Sequence, residues 1–327
     1  MLYDADAASI WLSMEFADLP ENPTPDGIVP QTVTTADGVR LRAAHWRPAG
    51  TTKGTVCLFQ GRAESIERYF EVVRELLARR FAVAALDWRG QGGSERRLAN
   101  PDKGHVDDFD EYERDLEAFL KQVVLPDCPP PYFALAHSTG GLVCMRVARR
   151  SRLAFARMVT TSPLIDLGSR SPPSALVGLA AGALSLLGMG DVWPPGAAYA
   201  RVEARGFEGN PLTGDAKRFE RNRAISRALP HIGIGPPTIG WIHAACRAMA
   251  EAQKPEFSAS IRIPTLIVVG GEDEIVSPLA IERFVREMRL GSQIVIPGAR
   301  HEVLMERDAM RGLFWAAFDA FVPGSTI

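Results

Sequence analysis

The chain has 327 residues, of which 46% are hydrophobic and 23% charged, and its formal net charge is −2. This composition is typical of a soluble globular protein with a large core, and it excludes a mainly disordered chain. The near-neutral charge, without a long Lys/Arg run, argues against nucleic acid as a partner. The four cysteines are widely spaced and form no C-x-x-C pair, so we expect neither a zinc site nor a disulfide framework.

The N-terminus, "MLYDADAASIWLSMEFADLP", lacks the basic start, apolar stretch and cleavage site of a signal peptide. We therefore expect a cytoplasmic protein. The longest apolar run, residues 175–189, contains three glycines and is too short for a membrane span. This run could line a tunnel, rest on a bilayer surface or pack tightly on the sheet domain. Peripheral contact with the inner membrane therefore stays open.

Strands and helices alternate along the first half of the chain. A D-G turn at Asp37–Gly38 joins two predicted strands into a hairpin. Apolar residues then alternate between strand and helix patterns, in the order "TVCLFQG" (strand), "IERYFEVVRELLARR" (helix), "FAVAALDWRG" (strand), 109–124 (helix), "PYFALAH" (strand), "TGGLVCMRVARR" (helix) and "FARMVTTSP" (strand). Such alternation predicts an α/β fold with a mostly parallel sheet and helices on both faces.

The alternation stops at Pro163 and resumes at Pro264 with "TLIVVGG", a helix over 278–289, "SQIVIPG" and a last helix, which brings the strand count to eight. The intervening hundred or so residues read as helices broken by Pro and Gly, which predicts a cap inserted into one domain. The expected organisation is an N-terminal extension (1–30), a core (31–163 and 261–327) and a helical cap (164–260). Ile10, Trp11, Met14 and Phe16 suggest a short amphipathic helix in the extension, for which docking on the protein itself is favoured over membrane anchoring.

Ser138 lies in "AHSTGG", one substitution away from the nucleophile-elbow motif G-x-S-x-G. That motif needs small residues two positions before and after the serine, because the strand-to-helix turn is sharp. Ala136 and Gly140 hold those positions. The motif alone is a weak signal. Here, however, it follows a predicted strand and precedes a predicted helix, which is the context that the motif requires. Ser138 is therefore the candidate nucleophile.

A serine nucleophile needs a base and an acid, and in this fold they follow in the order Ser, Asp/Glu, His. His301 is the histidine that lies in a loop after a late strand, within "PGARHEV". The preceding strand is followed by Glu272, Asp273 and Glu274. We choose Asp273 because the acid usually lies three residues past the first glycine of such a loop. A solvated acidic turn is the alternative reading.

The developing oxyanion requires preorganised N–H donors. The backbone N–H of Thr139, next to the nucleophile, and that of Arg62, in "FQGRAES" after the third strand, are the candidates. This chemistry needs no metal and no organic cofactor.

Several stretches resemble the α/β-hydrolase branch that contains monoacylglycerol lipases and bacterial lysophospholipases. They are "QGRAESIERYFEVVRELLARRFAVAALDWRGQGGS", "GHVDDFDEYERDL", "AHSTGG", "GGEDEIVSP" and "PGARHEV", and the resemblance extends from about residue 31 to 322. The G-R-x-E stretch, "DWRGQG", "NPLTGDAKRF" and "GPPTIGW" look more like the lysophospholipase subgroup. The chain departs from the pattern at Gln60, where monoacylglycerol lipases usually carry His, and at Ala136, in place of the first elbow Gly.

The resemblance implies hydrolysis of a single-acyl-chain lipid ester, with the cap forming the acyl pocket. Two alternatives remain. The same triad could cleave another bond, as a small-substrate carboxylesterase or amidase. The scaffold could also serve as a non-catalytic binding protein, for which a damaged triad would be expected. Oligomeric state is not visible in the sequence.

Overall fold

The protein is described by a computed structural model over residues 12–150, 155–196 and 206–323. Eight strands form one sheet, in the order β1-β2-β4-β3-β5-β6-β7-β8. They are β1 (Val29–Thr34), β2 (Arg40–Trp46), β3 (Thr55–Phe59), β4 (Ala82–Leu86), β5 (Tyr132–His137), β6 (Phe155–Thr161), β7 (Thr265–Gly270) and β8 (Gly291–Ile296). Strand β2 runs antiparallel to β1 and β4, and the remaining neighbours are parallel. The predicted mostly parallel eight-stranded sheet is confirmed.

Helices follow most strands of the parallel part. They are α1 (Phe70–Ala78), α2 (Asp110–Phe119), α3 (Leu125–Asp127), α4 (Ser138–Arg150), α5 (Ser174–Leu184), α6 (Ala216–Ala228), α7 (Ile239–Ala252), α8 (Pro255–Ser260), α9 (Pro278–Glu287) and α10 (Asp308–Phe321). The helical pattern predicted over 66–80 begins as a 3₁₀ turn before α1, and the one over 109–124 ends in a π-helical turn after α2.

Both faces of the sheet are buried. Along β3, Cys57 and Phe59 belong to the core on one face, whereas Val56 and Leu58 belong to the core on the other. Side chains of a strand alternate between faces, so a continuous apolar run such as "VCLF" is required when helices cover both sides.

The N-terminal segment docks on the core in an extended form. Residues 12–18 are not helical, so the helix expected there is wrong for this part, and Ile10 and Trp11 lie outside the described residues. The Phe16 ring lies 6.3 Å from the ring of Phe70 and beneath the Arg42 guanidinium at 4.5 Å. The segment therefore contacts the protein's own surface.

Helices α5 to α8 lie in the chain between β6 and β7. Helix α5 packs on α7 through its glycines: a Cβ at Gly178 would lie 2.8 Å from the Cys246 Cβ, and one at Gly182 would lie 2.9 Å from the His243 ring. Four leucines on α5 and just beyond it are exposed, namely Leu176, Leu179, Leu186 and Leu187. Within the described ranges, no helix is long and apolar enough to cross a membrane.

Candidate active site

Ser138 lies at the junction of β5 and α4, with a backbone φ of +49°. This left-handed conformation is strained for a residue other than glycine. The turn is so tight that a Cβ at Gly140 would lie 2.5 Å from the Phe59 carbonyl oxygen. Ala136, by contrast, is buried among core side chains, where its methyl group fits. The exchange of the first elbow glycine for alanine therefore leaves the turn intact.

The structure brings Ser138, His301 and Asp273 together. His301 Nε2 lies 3.1 Å from Ser138 Oγ, and His301 Nδ1 lies 2.9 Å from Asp273 Oδ2. The Asp273 Oδ1 atom accepts hydrogen bonds from the backbone N–H groups of Ile275 (2.9 Å) and Val276 (3.1 Å), which fix the carboxylate in the loop after β7. All three catalytic candidates are at most 8% exposed.

The electrostatics of this group suit a neutral-to-basic working pH. Burial disfavours the charged form of His301, but the Asp273 carboxylate outweighs burial and raises the histidine pKa above its usual value. Burial likewise acts to raise the pKa of Asp273, yet the neighbouring imidazole and the hydrogen bonds to the carboxylate lower it overall. Asp273 therefore stays ionised while His301 titrates.

Arg62 and Thr139 line the same cavity as Ser138. Thr139 lies in the first turn of α4, where backbone N–H groups have no carbonyl partner within the helix. The positive end of the helix dipole adds to the field at this position. The two predicted oxyanion donors thus lie on the rim that holds the triad.

Sequence reasoning assigned no role to Glu64 and His137. Glu64 Oε2 accepts hydrogen bonds from the Gly61 N–H (2.5 Å) and the Tyr69 hydroxyl (2.8 Å). The His137 ring centroid lies 4.7 Å from that of His301, and burial lowers the pKa of His137 to about 4, so this ring is neutral where His301 works. In the sequence, Glu64 is a polar residue within "FQGRAES" and His137 is one within "AHSTGG". Neither motif shows which residues these side chains contact.

The cavity beside Ser138 has a volume of about 210 Å³. Its apolar wall is formed by Leu164, Leu167, Leu212, Trp241 and Ile275. A larger, more open depression of about 940 Å³ lies elsewhere, around Glu71 and Arg218, which pair with each other. It contains none of the triad residues, so the smaller cavity is the candidate active site.

The segment after α5 is tied to the loop that carries His301. The Glu302 N–H donates to the Leu212 carbonyl at 2.8 Å. The fully buried Glu306 carboxylate accepts from the N–H groups of Gly214 (2.8 Å) and Arg300 (2.9 Å). The region predicted as a cap therefore supports the loop of His301 as well as the cavity wall.

Comparison with known proteins places this chain in a family. The family model described as serine aminopeptidase, S33, matches residues 50–308. Lysophospholipase L2 of Escherichia coli is 32% identical over 288 residues, which are 84% of this chain and 80% of that protein. The chain belongs to the serine aminopeptidase S33 family of α/β-hydrolases. It is a serine hydrolase, and the resemblance noted in its motifs is confirmed.

A second relative and a solved structure are also similar to this chain. Monoglyceride lipase of Mus musculus is 32% identical over 241 residues, covering 73% of this chain and 72% of that protein. The crystal structure of a soluble variant of monoglyceride lipase from Saccharomyces cerevisiae, in complex with a substrate analog, superposes with a TM-score of 0.72 at 21% identity. It covers 91% of this chain and 97% of that chain, which confirms the α/β-hydrolase fold.

Proposed function

We propose that the protein hydrolyses the ester bond of a single-acyl-chain lipid, a lysophospholipid or a monoacylglycerol, through an acyl-enzyme on Ser138. The observation that carries this proposal is the hydrogen-bonded chain from Ser138 through His301 to Asp273, with links of 3.1 and 2.9 Å. A hydroxyl, an imidazole and a carboxylate in this order are the parts of a serine-hydrolase triad.

In the proposed mechanism, His301 Nε2 takes the Ser138 proton as Oγ attacks the ester carbonyl carbon. Asp273 holds the imidazole in the required tautomer and stabilises the imidazolium. The protonated imidazole then gives its proton to the leaving alcohol, which leaves the acyl group on Ser138. Water, deprotonated by His301, attacks the acyl-enzyme and releases the fatty acid.

The negative charge on the carbonyl oxygen would be stabilised by the backbone N–H groups of Arg62 and Thr139. Loss of one such donor has cost roughly 2.7–4 kcal/mol of transition-state stabilisation in a serine protease. The first turn of α4 supports this assignment, because it directs N–H groups and the positive end of the helix dipole towards the nucleophile.

The proposed substrate class is supported by the wall of the cavity and by the names of the relatives. Leucine, isoleucine and tryptophan side chains form the apolar part of the cavity wall, and an apolar surface of this kind suits an acyl chain. The proteins named above are a lysophospholipase and monoglyceride lipases. Lysophospholipids and monoglycerides each carry a single acyl chain.

A small-substrate carboxylesterase or amidase is the second candidate, and the cavity volume favours it. About 210 Å³ lies below the roughly 300–1,000 Å³ of ordinary small-molecule sites. A long acyl chain would need the segment between β6 and β7 to shift or to extend the cavity, whereas an acetyl ester would fit as it stands.

A chain-length series of p-nitrophenyl esters, measured beside lysophosphatidylcholine and a monoacylglycerol, separates the two candidates. We expect kcat/KM to rise at least tenfold from the acetyl to the dodecanoyl ester, with Ser138→Ala inactive on every substrate. Preference for the acetyl ester, together with inactivity on both lipids, would support the second candidate instead.

We further propose that α5 and the turn after it rest on a membrane surface. Residues 171–190 carry no charged side chain. Leu179 is 72% exposed, Leu186 90% and Leu187 76%. An uncharged apolar surface of this kind gains free energy by entering the headgroup and acyl boundary of a bilayer. The substrates proposed above reside there, so the same surface would bring the enzyme to them.

A further inference from the structure

We propose that Gln91 is a positioning residue that aims and strengthens the Arg62 N–H as an oxyanion donor. This inference rests on the proposed function, because it concerns the transition state of ester hydrolysis. Gln91 lies in the turn after β4, outside the triad, and is 2% exposed. Its side chain reaches the loop that follows β3, where Arg62 lies.

The Gln91 amide is fully used on that one loop. Its Nε2 donates to the carbonyl oxygens of Gly61 (2.8 Å) and Glu64 (3.0 Å), and its Oε1 accepts from the Ala63 N–H (3.2 Å). Two acceptors and one donor fix which end of the amide is which. Ala63 has a φ of +62°, a conformation that a residue with a Cβ holds only when its surroundings impose it.

The contact to Gly61 has a direct chemical consequence, because its carbonyl and the Arg62 N–H belong to the same peptide unit. A trans peptide is planar, and its C=O and N–H point in opposite directions. A donor that fixes the carbonyl therefore fixes the direction of the Arg62 N–H. Hydrogen bonding at the oxygen also polarises the peptide, which makes its N–H a stronger donor.

The second proposed oxyanion donor is arranged in the same way. The Thr139 N–H shares its peptide unit with the Ser138 carbonyl, and that carbonyl accepts a hydrogen bond from the Leu164 N–H at 3.1 Å. The Thr139 peptide is supported by a backbone N–H group, whereas the Arg62 peptide is supported by the buried side chain of Gln91. Only the side chain can be replaced by substitution, so Gln91 is where the device can be tested.

Two substitutions at Gln91 test the inference. Gln91→Met keeps the length of the side chain and removes all three hydrogen bonds. Gln91→Glu is isosteric, keeps the acceptor for Ala63, and sets a carboxylate against two carbonyl oxygens. Ser94→Ala is the matched control, because Ser94 lies in the same turn, is fully buried, and its hydroxyl bonds Asp87 O (2.6 Å) and Arg42 N (2.9 Å).

The measurements are kcat and KM on p-nitrophenyl octanoate, Ki for an alkyl trifluoromethyl ketone, and Tm. The ketone forms an adduct with the serine that places an oxyanion in the same position. Removal of a donor costs about 10²–10³ in kcat, and a misdirected donor retains part of its effect. We therefore expect both Gln91 variants to lose about 10- to 100-fold in kcat, with KM within about threefold of wild type, and Ki to rise by a similar factor.

The Ser94→Ala protein is expected to lose thermal stability but to keep its kcat and Ki. Folded Gln91 variants with wild-type kcat and Ki would overturn the inference about Gln91 but not the proposed function. An equal loss of kcat in Ser94→Ala would have the same consequence. If Gln91→Met does not fold, Gln91→Glu decides. Absence of wild-type esterase activity, or wild-type activity in Ser138→Ala, would instead overturn the proposed function and the inference with it.

Discussion

Asp273 is the residue whose assignment can be tested against its own neighbours. Glu272 and Glu274 flank it in the same loop, but the structure joins the Asp273 carboxylate to His301 at 2.9 Å. Asp273→Asn preserves the shape and leaves the imidazole in the wrong tautomer, so we expect kcat to fall by about 10⁴. Glu272→Gln, which removes the exposed carboxylate one position earlier, should leave kcat near the wild-type value. A similar loss in both variants would contradict the assignment.

The pH dependence of kcat/KM tests the electrostatics of His301. In the proposed mechanism His301 must be neutral to accept the Ser138 proton, so we expect activity to be lost as the pH falls through the histidine pKa. Because Asp273 raises that pKa, the acid limb should lie above about 6.5, the usual value for histidine. In the residual activity of Asp273→Asn the limb should move to lower pH. An acid limb near pH 4 that is insensitive to Asp273 would point to a different base, such as His137.

Sequence patterns pointed to candidate residues that follow strands in a fixed order along the chain. They did not point to residues whose role depends on their tertiary contacts. Ser138, Asp273 and His301 each follow a strand, so a correct strand pattern was enough to bring them to one edge of the sheet. Gln91 and Glu64 act on backbone groups of a loop. Their contacts depend on the conformation of that loop, including the positive φ of Ala63, which no residue pattern specifies.

The strand-to-helix turn that carries Ser138 depends on Gly140. A Cβ there would lie 2.5 Å from the Phe59 carbonyl oxygen and 2.6 Å from that of Gln60, and these backbone atoms cannot easily move. We expect Gly140→Ala to destabilise the fold by about 1–3 kcal/mol, as overpacking does. Gly312→Ala is the control, because open space surrounds Gly312 in α10, and it should stabilise the helix by up to about 1 kcal/mol. Denaturant unfolding of both variants measures the difference, and equal effects would contradict the account of the elbow.

Helices and strands of the core were predicted well because their apolar residues follow either the helical or the strand pattern. Segments stabilised by distant partners were predicted less well. Residues 12–18 carry apolar residues that suggested a helix, but the Ser13 N–H bonds the Gly93 carbonyl and the Glu15 carbonyl accepts from Arg42. These tertiary hydrogen bonds favour an extended chain, and a local pattern does not contain them.

At the scale of the whole molecule, the sequence indicated where the insertion between β6 and β7 lies but not how it packs. The apolar run over 175–189 was compatible with tight packing and with lipid contact. The structure shows two different faces: Gly178 and Gly182 contact α7, while Leu176, Leu179, Leu186 and Leu187 are exposed. Hydropathy averaged over a run cannot separate two faces of one helix.

Vesicle flotation tests the proposed membrane contact. Leu186→Glu combined with Leu187→Glu should reduce binding to phosphatidylethanolamine and phosphatidylglycerol vesicles at least tenfold, since burying each leucine is worth about 1.5–3 kcal/mol. Leu279→Glu, at a 56% exposed leucine in α9, is the matched control and should bind like wild type. Equal binding of all three proteins would contradict the proposal, and activity on a soluble ester should not differ among them.

Covalent labelling tests whether Ser138 is a nucleophile activated by His301. The intact protein is treated with a fluorophosphonate at pH 8, and the adduct is located by peptide mass mapping. We expect one adduct, on Ser138, with labelling at least 100-fold slower in His301→Ala and undetectable in Ser138→Ala. An unlabelled Ser138 in the folded wild-type protein, or an equal labelling rate without His301, would contradict this expectation.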